Sequence, residues 1–232
     1  YLGEGGALQG AVPGSIFIDV STTDPTTHRR IAARLKEVGV EYLDAPVSGG
    51  PKGAQEGTLS IMVGGSAEAF ARAQPLFEVV GENIYYLGPV GAGSVVRLVN
   101  QLILGINRCA IFEGLVLGAK AGLDPQLMVD IVSTSTGGSR TLEHAEGKIL
   151  RGDFEPDFAV DYMYKDLRLA LKMGQEEGMR LLAGSLALQV FEELRALGLG
   201  KLDFSAGVLP LEKLAGVEVR AKPQSPGGCE PD

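Results

Sequence analysis

Asp44-Ala-Pro-Val-Ser-Gly-Gly-Pro-Lys-Gly-Ala-Gln-Glu-Gly-Thr-Leu-Ser-Ile-Met-Val-Gly-Gly65 places a Ser-Gly-Gly loop between two runs that read as strands, Glu41 to Val47 and Thr58 to Val63. Such a loop can offer a hydroxyl and several backbone N–H groups to a small anion. The same glycines equally suit a plain connecting turn.

Working outward toward the start, Ser15-Ile-Phe-Ile-Asp-Val-Ser21 follows Pro13-Gly14 and reads as a strand. Asp24-Pro25 opens a helix that runs to about Val38 and stops at Gly39. Beyond the loop, Ser66 caps a further helix without a capping box, and Asn83 to Leu87 is the last strand. After Gly88 the character changes. Gly93 to Gly122 reads as one helix, about 45 Å long at ~1.5 Å per residue. Asp124-Pro125 opens the next helix, Ser133 to Ser139 is a loop, and helices follow at Phe158 to Gly178, Ser185 to Leu197 and Leu209 to Leu214. Lys222 to Asp232 is rich in Pro and Gly and reads as disordered. The division expected is an α/β part over 1–90, an all-α part over 91–216 entered through a long linking helix, and a disordered tail over 217–232.

Composition narrows the class. The 232 residues are 45% hydrophobic and carry a net charge of −8, which argues against a general nucleic-acid or anionic-membrane surface. Val95 to Leu117 is apolar enough to suggest a membrane, but Arg97, Asn100, Gln101, Asn107, Arg108 and Glu113 interrupt it, so a buried helix is expected. Two cysteines, Cys109 and Cys229, form no disulfide framework and fit a reduced intracellular protein. Two histidines do not make a metal site, and His28 reads as a solvated surface residue.

Several stretches could carry chemistry. Arg97, Asn100, Gln101, Asn107 and Arg108 share about a third of the helix circumference at 100° per residue. They form a solvated face, polar groups satisfied inside a helical pack, or a cleft wall holding substrate. Asp161, Lys165, Arg168 and Lys172 line another helix face, which reads as a charged exterior stripe with an Asp161–Lys165 pair. Thr22 follows the C-terminal end of a strand, where open α/β sheets bind ligands and where helix capping also places Ser and Thr.

Taken in order, Ile18-Asp-Val-Ser-Thr-Thr-Asp-Pro25, Asp44-Ala-Pro-Val-Ser-Gly-Gly50, Gly57-Thr-Leu-Ser-Ile-Met-Val-Gly-Gly65, Gly91-Ala-Gly-Ser-Val-Val-Arg-Leu-Val-Asn100, Lys165-Asp-Leu167 and Gly184-Ser-Leu-Ala187 resemble the β-hydroxyacid dehydrogenases, the 3-hydroxyisobutyrate dehydrogenase family. The resemblance covers nearly all of residues 1–215. It implies part of a Rossmann domain, a long linking helix, and a helical domain. It also implies reversible hydride transfer between NAD or NADP and a small 3-hydroxy acid or semialdehyde. By resemblance, Ser48, Gly49 and Gly50 hold the substrate carboxylate, and Asn100 and Gln101 face the substrate. Thr22 lies beside the nicotinamide and Lys165 reaches the cofactor. A homo-oligomer is expected from the apolar helical part, in the cytoplasm or an organelle matrix, with targeting undetermined because the chain starts at Tyr1.

Two departures stand out. The family's catalytic lysine falls on Arg97, and arginine stays protonated, so it is no ordinary base. It can still stabilise an alkoxide. A severe loss of hydride-transfer rate is expected, or else a non-catalytic ligand-binding or dimerising derivative. Second, no Gly-x-Gly-x-x-Gly turn follows a strand and opens a helix. The chain therefore reads as truncated at its start, with an exposed sheet edge and impaired cofactor binding.

Overall fold

The computed structural model describes residues 1–221. Strand β1 (Ile16–Asp19) pairs in parallel with β2 (Glu41–Asp44), from Ile16 opposite Glu41 to Asp19 opposite Asp44. The helix between them, α1 (Pro25–Lys36), starts as expected: the Asp24 carboxylate accepts from the Thr27 N–H at 3.0 Å, and Pro25 fills the first turn.

The single strand expected over 41–47 is two. Ala45-Pro46 separates β2 from β3 (Val47–Ser48), which joins a second sheet with β4 (Leu59–Val63) and β5 (Gly81–Tyr86). Pro46 has no N–H to continue a ladder, and its carbonyl instead accepts from Met62 N–H at 3.1 Å. In this sheet β3 runs antiparallel to β4, and β4 parallel to β5. An isolated Asp44–Gly64 bridge connects the two ladders.

The Gly-rich segment also differs from expectation. It is not all loop: Gly50–Glu56 form a short helix, α2, with Pro51 in its first turn and Gly57 closing it in the left-handed conformation. Helix α3 (Ala67–Val80) begins at Ser66, whose hydroxyl accepts from the Ala69 N–H at 3.1 Å. Leu43, Ala45, Ile61, Val63, Ala69, Ala73 and Phe77 form the core beneath α3.

Helix α4 (Ala92–Lys120) is the long helix expected. The Asp44 carboxylate, at the end of β2, accepts from the N–H groups of Gly91 at 2.7 Å and Ser94 at 2.9 Å, fixing where α4 starts. Gly93 is required by close approach. A Cβ there would stand 2.7 Å from the Asp44 carbonyl oxygen and closer still to that of Met62. So Asp44 and Gly93 are explained by seating one helix on two strand ends.

The remaining helices are α5 (Pro125–Ser133), α6 (Arg140–Lys148), α7 (Val160–Glu176), α8 (Leu182–Ala196) and α9 (Val208–Ala215). Helix α6 is additional to those expected; Ser139 caps it, and Leu142 and Ala145 are its buried residues along with Lys148. By compactness the chain divides into residues 1–103 with 165–184, and residues 104–164 with 185–221. The second unit has its own core of Phe112, Leu115, Val129, Leu142, Ile149, Val208 and Val219. The tail expected from residue 217 is corrected for its first residues: Val219 is buried, Arg220 pairs with Glu212 at 2.6 Å and Ala221 N–H donates to Leu150 at 2.9 Å. Residues 222–232 lie outside the described residues.

Candidate active site

One polar network in the first unit gathers five of the sequence-derived residues. Thr22, in the turn between β1 and α1, is its hub. The Arg97 Nε–H donates to the Thr22 hydroxyl at 3.2 Å, and the Lys165 ammonium donates to the Thr22 carbonyl at 2.8 Å. Lys165 also stands 3.0 Å from Asp166 Oδ1, off hydrogen-bonding alignment, so that oxygen is paired in charge but receives no hydrogen bond. The other oxygen of Asp166 accepts from the Gln101 amide at 2.7 Å, and Asn100 donates to the Gln101 amide oxygen at 3.0 Å.

Burial sorts these residues. Arg97 and Asp166 are buried, Thr22 and Asn100 are half-buried, and the Lys165 side chain is 48% exposed. Gln101 is fully buried, with both ends of its amide engaged. In this arrangement it braces Asn100 against Asp166. Burial lowers the Arg97 guanidinium from its ordinary value, and the charge of Asp166 opposes that shift. Arg97 remains a cation at neutral pH.

Ser48, Gly49 and Gly50 lie apart from this network, with no hydrogen bond to it among the described residues. Ser48 pairs with Ser60 across β3 and β4. Gly49, at φ +138°, adopts a conformation reserved for glycine, and a Cβ there would meet the Leu59 side chain at 2.9 Å. A Cβ on Gly50 would meet nothing within 4 Å, so that side of the turn is open.

The charged stripe on α7 is not one surface. Asp161 pairs with Arg195 at 2.7 Å and Lys201 at 3.2 Å, replacing the expected Asp161–Lys165 pair. Lys172 reaches Asp24 at 3.3 Å, joining α7 to the cap of α1. The polar stripe on α4 is not a solvated face either: Arg97, Gln101 and Arg108 are buried, and Asn100 and Asn107 are half-buried.

Two participants were missed. Asp166 is the buried charge that organises Lys165 and Gln101; its position beside Lys165 was the available signal. His28, expected at the surface, is fully buried. Its Nδ1 is 2.7 Å from the Tyr42 hydroxyl, which donates to Asp19 at 3.1 Å. Tyr42 lies fourteen residues away on β2, so helical periodicity alone could not reveal the partner.

Among the described residues, no group of three or more His, Cys, Asp and Glu side chains is arranged to hold a metal ion. Helix α4 has the length and apolar content of a membrane-crossing helix. Cys109 carries a thiol that burial, and then Glu113, push up to about 12, which leaves it a poor nucleophile.

The segments that hold this network match known families. Residues 1–88 match the NAD-binding domain of 6-phosphogluconate dehydrogenase, and residues 91–211 match the NAD-binding domain of NADP-dependent 3-hydroxyisobutyrate dehydrogenase. The 2-(hydroxymethyl)glutarate dehydrogenase of Eubacterium barkeri is 44% identical over 94% of this chain and 72% of its own length. The 2-hydroxy-3-oxopropionate reductase of Escherichia coli is 38% identical over 92% of this chain and 73% of its own. A crystal structure of 3-hydroxyisobutyrate dehydrogenase from Salmonella typhimurium is similar with a TM-score of 0.83 and 34% identity, covering 90% of this chain and 74% of the other.

Proposed function

Because the chain belongs to the β-hydroxyacid dehydrogenase family, that of 3-hydroxyisobutyrate dehydrogenase, we propose that it works on a small 3-hydroxy acid or the matching semialdehyde with NAD or NADP. The observation that carries the reading is the Thr22 hub, which joins Arg97 and Lys165 in one network. It follows the C-terminal end of β1, where an α/β sheet presents ligands.

The residues fit one end of a dinucleotide. Thr22 and the half-exposed Lys165 would hold the nicotinamide end, supported by the cation that Lys165 brings to an anionic cofactor. No Gly-x-Gly-x-x-Gly unit lies among residues 1–232. When bound, the cofactor supplies the hydride acceptor or donor. Ser48 and the N–H groups at Gly49 and Gly50 would take the carboxylate, and Asn100 would present its half-buried amide. Gln101 and Asp166 hold Asn100 and Lys165 in place. Arg97 would stabilise the alkoxide while keeping its own proton, so the hydroxyl proton leaves to water. The functional division falls near residue 90. The reading includes a homo-oligomer, located in the cytoplasm or an organelle matrix.

Arg97 favours a second reading, a non-catalytic ligand-binding or dimerising derivative. Both are tested by following NAD(P)H absorbance with a panel of small 3-hydroxy acids. The panel is run on this chain and on a form carrying a strand–Gly-x-Gly-x-x-Gly–helix unit ahead of residue 1. Turnover selective for one acid supports the enzyme. Cofactor or acid binding without turnover in either form supports the second reading.

A further inference from the structure

Beneath the Thr22 turn lies a buried chain of donors that the reaction above does not use. His28 on α1, Tyr42 on β2 and Asp19 at the end of β1 are all buried. Their protons can be assigned. Asp19 Oδ1 accepts from the Ser21 N–H at 2.9 Å, and Oδ2 is 3.1 Å from the Tyr42 hydroxyl. Burial acts to raise the Asp19 carboxyl, but the Ser21 hydrogen bonds, the His28 charge and Tyr42 outweigh it, so Asp19 lies below its ordinary value. It is therefore an acceptor only. Tyr42 donates to Asp19, and its oxygen accepts from His28 Nδ1–H, 2.7 Å away, while the Tyr1 hydroxyl also reaches Asp19 and Tyr42 from the side, its ring 5.9 Å from that of Tyr42. Donation thus runs in one direction: His28 to Tyr42, Tyr42 to Asp19, with Asp19 holding the Ser21 N–H.

The segment this chain grips is the one that carries Thr22. Asp19 holds it at the start and Asp24 caps α1 at its end, leaving Thr22 between them as acceptor for both Arg97 and Lys165. A core whose only task was to be filled would have an apolar pair at 28 and 42. Here three polar side chains from three elements are linked in series, and the last of them holds one backbone N–H at the edge of the network.

We propose that His28 and Tyr42 are positioning residues for the Thr22 turn: through Asp19 they set where the Thr22 hydroxyl and carbonyl stand for Arg97 and Lys165. The functional part rests on the reading of Thr22 as the nicotinamide end; the structural coupling does not.

The test is Tyr42→Phe, which keeps the ring and deletes the hydroxyl, read by nitrogen-edited NMR of the full chain together with NADPH titration by fluorescence. The His28 imidazole signal should lose its Nδ1 hydrogen-bond signature. The Ser21 and Thr22 amides and the Arg97 Nε–H should move with it, and NADPH should bind about tenfold more weakly, as for one lost hydrogen bond to a charged group. Ile31→Val, in the core of the same helix but outside the chain of donors, controls for general loosening and should leave the Thr22 and Arg97 signals in place. If Tyr42→Phe does not fold, His28→Gln replaces it with the same expected pattern. A His28 signal that changes while Thr22 and Arg97 stay still overturns the coupling. If neither the parent nor the form carrying the added strand–Gly-x-Gly-x-x-Gly–helix unit binds NADPH while those signals move, the positioning device stands and the cofactor reading falls.

Discussion

Arg97 and Arg108 lie on the same helix, both buried, and they keep different company. Arg97 donates to Thr22 and feels the charge of Asp166 within a linked network of polar groups. Arg108 is fully buried, lies 4.1 Å over the Phe204 ring and makes one hydrogen-bond contact, 3.1 Å from Nη2 to His144 Nδ1. Its Nε and Nη1 have no hydrogen-bond partner. Burial lowers its guanidinium to about 10, with the Asp203 charge opposing. Two buried cations on one helix thus differ in how far the groups around them are linked to one another, and around Arg97 they form one network. On periodicity the two arginines belong to one stripe; their surroundings set one in a linked polar network and the other in the core of a helical unit.

The sharpest way to break this contrast is to remove the organising charge. Asp166→Ala leaves Arg97 without its counter-charge and strips Lys165 and Gln101 of a partner. A loss of about 3 kcal/mol is expected in urea unfolding, the usual cost of orphaning one side of a buried pair. A loss below ~1 kcal/mol would show that the network is solvated and loose.

Arg108→Met should behave in the opposite way. Replacing a buried, poorly partnered cation by an apolar side chain of similar length should leave stability within about 1 kcal/mol or raise it. Cofactor affinity should not change. A large destabilisation would mean that the contacts with Phe204 and His144 are worth more than the cost of burying the charge.

The smallest effect is on pH. Burial holds both His28 and His144 below the ordinary histidine value: for His28 the charges of Asp44, Asp19 and Asp24 oppose this, and for His144 Arg108 adds to it. The unfolded chain then takes up protons below pH ~6.5 that the folded chain refuses, so stability falls as pH falls through that window. Asp19 and Asp24 are also depressed, each by hydrogen bonds and charge that outweigh burial. Their contribution is lost only at lower pH, below the unfolded carboxylate value of ~3.9. Between pH 7 and 5.5 the melting midpoint should drop by roughly 2–4 °C. His144→Gln should make the slope shallower. A flat profile would place both imidazoles in water.

Local chemistry was the legible part of this protein. Asp24-Pro25, Asp124-Pro125 and Ser66 announce helix starts because a cap and its N–H targets lie within three residues of each other. Thr22, Arg97, Asn100 and Lys165 were legible through ordered wording along the chain. Interactions that close over distance were not. Asp44 reads as part of a Ser-Gly-Gly stretch, yet it holds Gly91 and Ser94, 47 and 50 residues later. Asp166 meets Gln101 across 65 residues. Helix α2 was hidden by glycines that suggested a loop, although Pro51 near its start and Gly57 at its stop are helix punctuation.

Arg97 is the position on which the account turns, and Arg97→Lys tests it most directly. Hydride transfer is measured as single-turnover NAD(P)H absorbance with the preferred 3-hydroxy acid, across pH, in both forms. Lysine can surrender a proton near neutrality where arginine cannot. Hydride transfer should rise about 100-fold with Lys, with a pH limb present only in that form. Equal rates and superimposable pH profiles would overturn this, showing that a base at position 97 does not speed removal of the hydroxyl proton.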